Sequence, residues 1–401
     1  MIKSIVLVAD SYPPFRTSAA VQLRDLAVEF LRQGVVPTVI TSRADIQTIS
    51  NLTEMDRISV LCIKTPEHKN VGRIRRALAE VLMPFFMIKN FRSSILSNAK
   101  WDAVVWYSPT IFLGPFIYYL KVRNTCPSYL ILRDIFPAWA LDLRILRKGL
   151  AYYFFRIFEK FQYSVADCIG VQAVGNLDYF KTWPNFTHKK IELLHNWLSP
   201  KPISNCSIDI ATLPIANRKI FVYAGNMGIA QGMGDLLDLA EASLCRNDIG
   251  FLFIGRGSDM EFLRLDAKER GLINTVFCDE IDAHEIPGLY AQCHVGLIAL
   301  DARHKTHNIP GKFLSYLYSG LPVMAIINHG NDLQSIIENN QIGRVTSDRS
   351  LRSIHLIVDS LLNEISLNGD LIGSRCRKLA TEQFSSEVAV KQILRALNSI
   401  K

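Results

Sequence analysis

His307-Asn308-Ile309-Pro310-Gly311-Lys312-Phe313-Leu314-Ser315-Tyr316-Leu317-Tyr318-Ser319-Gly320-Leu321-Pro322-Val323 is the stretch that orders the rest of the chain. Apolar runs with strand character stand on either side of it, at 296–299 and 322–327. Between them, Pro310-Gly311 opens a helical pattern that Gly320-Leu321-Pro322 closes. Strand, helix, strand at this spacing is the βαβ unit of a parallel sheet. A Pro-Gly-Lys helix start leaves backbone N–H groups and the positive end of the helix dipole available, and Lys312 adds a point charge. Together these make a seat for a diphosphate. The plainer alternative is a capped helix with a solvent-facing lysine.

Working outward, the same rhythm fills the chain. The first half carries strand-like runs at 4–9, 35–41, 58–63, 103–107, 129–132, 168–172 and 191–194, with helical patterns between most of them. Pro200, Pro202 and Pro214 interrupt it, and the stretch Trp197–Ala216 reads as a linker. A second series follows at 220–224, 250–254, 275–278, 296–299 and 322–327, with helices near 234–246, 258–270, 284–292 and 312–319 and from 351 to the end. The expected architecture is α/β, two doubly wound Rossmann-like domains facing across a cleft. Their expected extents are 1–197, a linker at 198–216, 217–384, and a C-terminal helix at 385–401 packing back on the first domain. Sites in such sheets lie beyond the carboxyl ends of the strands.

Composition agrees with two folded domains: 401 residues, 49% hydrophobic and 20% charged. The eight cysteines form no CxxC pair and read as reduced thiols of a cytosolic protein, with neither disulfides nor a zinc site expected. The apolar opening at 2–9 is cut short by Asp10, so no signal peptide is expected. Ala103–Leu120 is an uncharged run of 18 residues, but Pro109 and Gly114-Pro115 divide it into a strand, a turn and a helix. Residues 1–200 hold 25 Lys/Arg against 15 Asp/Glu, whereas 201–401 hold 20 against 22. That asymmetry points to an anionic partner for the first half.

Two more loops could approach phosphate. Tyr223-Ala224-Gly225-Asn226-Met227-Gly228-Ile229-Ala230-Gln231-Gly232 follows the first strand of the second domain, where glycines allow close backbone approach. Ile254-Gly255-Arg256-Gly257 ends another strand and offers Arg256, or is an ordinary turn. In the first domain, Leu132-Arg133-Asp134-Ile135-Phe136-Pro137 ends a strand. Asp134 there suits an acceptor-side base or a helix N-cap.

These loops, with Asp10-Ser11-Tyr12-Pro13-Pro14, resemble the GT-B glycosyltransferases of family 4 over nearly the whole chain. The matching motifs are Leu26-Ala27 to Gly34, the loop Gly225, Gly232, Leu236-Leu237, and Ser315 to Ala325 with its Gly320-Leu321-Pro322-Val323. Within that family the chain resembles the O-antigen and capsule branch and the group of L-fucosamine transferases. The resemblance implies transfer of a sugar, an N-acetylated amino sugar such as L-fucosamine, from a UDP-sugar to a polyprenyl-diphosphate-linked acceptor, with the anomeric configuration retained. It implies donor contacts at Gly225, Asn226, Gly228, Gln231, Arg256, Pro310, Gly311, Lys312 and Ser315, and reaction-centre roles for Asp134, Arg133, His307 and Lys312. His195-Asn196 matches a family Asn near the hinge and is given a structural role. The family's two glutamates fall here on His307 and Ser315, and its donor-loop Arg and Lys on Asn226 and Gln231. No DxD-like set stands in a suitable loop, so neither a metal nor another cofactor is expected.

A lipid-borne acceptor would call for a membrane surface. The stretch 69–92 holds six basic residues against one acid around the apolar 81–88, and 149–160 is a second candidate. A peripheral location on the inner, cytoplasmic face is the expectation. Buried core helices are the alternative. Two other functions stay open on sequence alone: a nucleotide-sugar epimerase of the same architecture, and a catalytically silent scaffold. An NAD-dependent oxidoreductase would need a glycine-rich turn after the first strand, yet the chain has no glycine before Gly34. Nucleic-acid binding would explain the charge but not the phosphate loops.

Overall fold

Ser4–Ala9 forms a strand (β1) whose last five residues are all buried, because helices cover both faces of its sheet. The computed structural model of the chain describes residues 1–15, 17–67, 72–108, 110–142, 144–181, 183, 189–228, 231–303 and 309–400, the side chains of residues 73 and 74 excepted. It divides into two units, Met1–Trp197 with the segment from Ser386, and Leu198–Ser385.

In the first unit, β1 is followed by Ser18–Arg32 (α1), Val36–Arg43 (β2), Ser50–Met55 (β3), Ile58–Lys64 (β4), Arg73–Arg92 (α2), Ala103–Ser108 (β5) and Gly114–Asn124 (α3). Then come Ser128–Leu132 (β6), Ala138–Asp142 (α4), Leu150–Val165 (α5), Cys168–Val171 (β7), Gly175–Lys181 (α6) and Lys190–Leu193 (β8). The eight-stranded sheet has the order β3-β4-β2-β1-β5-β6-β7-β8 and is parallel apart from the β3–β4 pair. Thr17 starts α1, its hydroxyl accepting from the Ala20 amide at 3.2 Å. Alternate residues of β1 feed two cores. Ile5 and Leu7 pack with Leu26 and Phe30 of α1, and Val6 and Val8 with Met83 of α2 and Phe116 of α3. A C-terminal helix, Ser386–Ile400, completes the first of these cores with Val390 and Ile393.

β3 has no counterpart in the sequence reading. Its side chains are exposed or half-buried, so it lacks apolar alternation. Its hairpin turns on Asp56 and Arg57, both at positive φ, without the usual Asn-Gly or Asp-Gly signal.

In the second unit the elements are Lys219–Asn226 (β9), Met233–Ala242 (α7), Ile249–Arg256 (β10), Met260–Glu269 (α8), Thr275–Asp279 (β11), Ile286–Tyr290 (α9) and Val295–Ala299 (β12). Gly311–Ser319 (α10), Val323–Ile326 (β13), Asp332–Asn339 (α11), Gly343–Thr346 (β14) and Leu351–Gln383 (α12) follow, leaving Ser386–Ile400 as α13. The sheet is wholly parallel, in the order β11-β10-β9-β12-β13-β14. Asn368 breaks the helical backbone within α12. β14 is another strand not expected from sequence; four residues are too few to show a period.

Where the sequence reads a linker, residues 198–216 are strapped onto the second unit. Ile210 and Ile215 lie in its core, and the Ile210 amide donates to Gln292 Oε1 at 3.0 Å. Leu198 bridges to Ser385. The prolines mark irregular backbone, but the isoleucines between them anchor it.

The stretch 69–92 is also more ordered by packing than its all-round apolarity suggests. Lys69 lies outside the described residues. Met83, Met87 and Phe91 of α2 are fully buried against the sheet, so Met87 is a core residue, whereas Leu78, Leu82, Phe85 and Phe86 are exposed. No helix among the described residues is long and apolar enough to cross a membrane.

Candidate functional site

The second sheet reverses its strand order beside β9, which has β10 on one edge and β12 on the other. From β9 the chain runs to α7, and from β12 to α10. These helices pack on opposite faces of the sheet, α7 with Phe221 and Phe251, α10 with Val222 and Ile298. The two helices therefore leave the carboxyl edge on opposite sides of the sheet, the switch point at which doubly wound sheets hold ligands.

Gly225, at the end of β9, has φ +141°, and a side chain there would touch Lys312 Cε at 3.4 Å and Nζ at 3.7 Å. Glycine thus lets the lysine lie against the strand end. Gly255, beside it on β10, has φ +150°, and an added Cβ would stand 1.9 Å from the Gly225 carbonyl oxygen. The two strand ends approach as closely as backbone permits.

Lys312 is on the first turn of α10. Its Nζ donates to the Tyr223 hydroxyl at 2.8 Å and lies 4.1 Å from the centre of that ring. Among the described residues no carboxylate pairs with it. Burial, with nothing opposing it, lowers the amine to about 7. Pro310 caps α10 with extended backbone, and no side chain caps its amides. Gly311 is exposed, and a Cβ there would meet nothing within 4 Å. Ser315, half-buried, is one turn further along the same face. The helix start and the amine, whose partner is a neutral phenol, are both positive and suit an anion.

The other expected donor contacts divide. Asn226 Nδ2 donates to Gln231 Oε1 at 3.1 Å, and the Gly228 amide donates to the same oxygen at 3.1 Å. Asn226 and Gln231 therefore brace the loop after β9. Arg256, expected to reach a phosphate, is 70% exposed and turns to Glu280, 3.3 Å away. His307 lies outside the described residues, as does His304. Arg349, which the sequence reading passed over, ties this region together by bonding Asp235 at 2.9 Å and the Leu300 carbonyl at 3.1 Å. Tyr223 was also missed, because a tyrosine inside an apolar strand reads as core.

In the first unit, Asp134 follows β6 and is exposed. Arg133 is a correction to the sequence reading. It is buried, donating to the carbonyls of Leu194 at 2.7 Å and His195 at 3.2 Å, and stacks 4.7 Å from the Trp197 ring. It clamps the segment after β8 through both terminal nitrogens, and its Nε has no hydrogen-bond partner among the described residues. One group among the described residues, half-buried Asp282 and Glu285 with exposed His284, brings its ligand atoms within 4.8 Å, but Glu285 already accepts from the amides of Ser207 and Asp282.

No protein-family model matches the chain. The probable glycosyltransferase WbjE of Pseudomonas aeruginosa is 22% identical to it over 339 residues, 82% of each protein. HepE of Anabaena, solved in complex with UDP and glucose, superposes with a TM-score of 0.68 at 15% identity, over 99% of this chain and 100% of that one. WaaG, a glycosyltransferase involved in lipopolysaccharide biosynthesis, superposes with a TM-score of 0.62 at 14% identity, over 98% and 99%. The fold is that of the GT-B glycosyltransferases, two Rossmann-like domains each built on a parallel sheet.

Proposed function

We propose that this chain is a glycosyltransferase that moves a sugar from a UDP-sugar to a polyprenyl-diphosphate-linked acceptor during assembly of a bacterial surface polysaccharide. The glycosyltransferase reading has the support of the sequence relationship to WbjE and of the shared fold. UDP as the carrier has the support of HepE, which was solved with UDP and glucose. The acceptor, the pathway and an amino-sugar donor such as L-fucosamine rest on the motif resemblance.

The observation that carries the reading is Lys312: a half-buried amine with no carboxylate partner among the described residues, at a helix start capped by proline, against a glycine strand end. A donor diphosphate placed there gains negative charge as the bond to the sugar breaks. A protonated Lys312 and the α10 dipole stabilise that charge without reorganising, an effect on the order of 2–4 kcal/mol per contact in a closed site. Asn226, Gly228 and Gln231 set the loop beside the diphosphate, and Ser315 lies one turn along toward the nucleoside or sugar. Asp134 is the acceptor-side base of this proposal.

The first unit would meet the membrane by one helical layer. α2, α3 and α5 cover the same face of the sheet. Outwardly they expose Phe85 and Phe86 of α2, Tyr118 of α3, and Leu150, Tyr153 and Ile157 of α5. Arg75, Lys148 and Lys160 are among the cations beside them, and a surface pocket on α5 is lined by Lys148, Tyr152, Arg156 and Lys160. Aromatic and apolar groups bordered by cations suit the anionic inner face of a bilayer.

The test is to incubate the pure protein with a panel of UDP-sugars and polyprenyl-diphosphate acceptors and read the products by mass spectrometry. One UDP-sugar is expected to extend the acceptor by one residue. Absence of transfer and of UDP binding across the panel defeats the proposal.

A further inference from the structure

Tyr223 is fully buried within β9, yet its hydroxyl is doubly used. It accepts from Lys312 Nζ at 2.8 Å and donates to the Asn226 carbonyl at 2.6 Å. Asn226 in turn holds Gln231, which takes the Gly228 amide. One phenol therefore joins the first turn of α10 to Asn226, Gly228 and Gln231 of the loop after β9. We propose that Tyr223 is a positioning residue of the anion seat, aiming the Lys312 ammonium at the switch point and holding the donor loop to the same place. The inference rests on the donor-site reading above and adds a residue to it.

Burial keeps the Tyr223 hydroxyl well above its ordinary range, so it stays a neutral phenol and is no counter-ion. It supplies one acceptor, and its ring supports the ammonium from below. An ammonium has three N–H donors. With one given to Tyr223, the others remain for a diphosphate. Among the described residues no acid pairs with the amine. β9 contributes Tyr223 and the side-chain-free Gly225, and α10 contributes Ser315 and Tyr316. The Tyr316 hydroxyl is already committed to the carbonyls of Val222 and Leu297, each at 3.1 Å. His304 and His307, just before α10, lie outside the described residues.

The experiment is a double-mutant cycle read by titration calorimetry with UDP. Tyr223→Phe keeps the ring but removes the acceptor and orphans the Asn226 carbonyl, so UDP affinity is expected to fall about fivefold to tenfold. Without its acceptor the amine holds its proton less well, so the pH above which affinity declines should move to the acid side. In a Lys312→Met background the same change should cost clearly less, because only the part owed to the Asn226 carbonyl remains. Incorporating 3-fluorotyrosine at position 223 preserves shape, weakens the oxygen as an acceptor, and should lower affinity in the same direction. Equal losses with and without Lys312, or unaltered affinity and pH profile in Tyr223→Phe, would overturn the role of Tyr223. Wild-type affinity in Lys312→Met would instead overturn the donor site itself.

Discussion

Arg133, after a strand, and Lys312, at a helix start, are both cations of candidate site loops, the first buried and the second half-buried. Their surroundings differ. Arg133 has two carbonyl acceptors and an indole face. Lys312 has a single phenol. Burying a charge is costly unless it is hydrogen-bonded or paired. Arg133 meets that requirement at its two terminal nitrogens, though not at Nε, and belongs to the framework. Lys312 meets it only in part, and a bound diphosphate would complete it. Of the two, Lys312, with one neutral acceptor, is the better candidate for a ligand site.

The largest effect expected from this contrast is on catalysis. Lys312→Met should lower kcat/KM for the UDP-sugar by about 100-fold to 1000-fold, the scale of a lost charge-assisted contact to a developing anion. Its melting temperature should stay level or rise, because a desolvated amine is gone. Steady-state kinetics beside a thermal melt checks both, and a large loss of stability would put Lys312 in the framework with Arg133.

Next in size, Arg133→Met should destabilise the first unit by roughly 2–4 kcal/mol, since the carbonyls of Leu194 and His195 lose a buried donor. UDP affinity should be unchanged. Denaturant unfolding measures the first and calorimetry the second. Unaltered stability with a raised KM for acceptor would return Arg133 to the site and break the contrast.

A smaller effect concerns pH. The Lys312 amine is lowered by burial to about 7 in the folded chain, whereas an unfolded lysine keeps its proton to about 10.4. Between these values the unfolded chain binds more protons, so stability without ligand should rise with pH across that window. UDP needs the protonated amine, so its affinity should fall as pH rises from 7 to 9. Opposite slopes in wild type, both absent in Lys312→Met, sharpen the comparison. Parallel slopes would remove the amine from the anion seat.

The smallest effect per residue is at the proposed membrane face. Each cation near an anionic leaflet contributes about 1 kcal/mol, screened by salt. Arg75, Lys148 and Lys160 changed together to Glu should strip the salt-sensitive part of binding to anionic vesicles, measured by co-sedimentation. The part owed to Phe85, Phe86 and Tyr153 should persist. Equal binding by the triple variant would leave these charges as ordinary solvated groups.

Much of the fold is legible in the sequence because its signals are local. Apolar runs at 4–9, 103–107 and 296–299 become central strands, since both faces of each sheet are covered and every residue can be buried. Thr17, Gly34 and Pro310-Gly311 end or begin helices through their own backbone and side-chain chemistry. What escaped is what lacks a local signal. β3 is polar on both faces, and the strap at 198–216 looks like a linker until Ile210 and Ile215 find a core to enter.

At the candidate site, sequence by itself determined where glycines let backbones approach, where a helix begins without a side-chain cap, and which cations stand nearby. Only the tertiary structure decided what those groups do. Arg133 is held by carbonyls some 60 positions on, Arg256 turns to Glu280, and Lys312 reaches back 89 positions to Tyr223. Secondary structure follows from a residue and its near neighbours. Whether a charge is satisfied depends on partners that only folding brings within hydrogen-bond range.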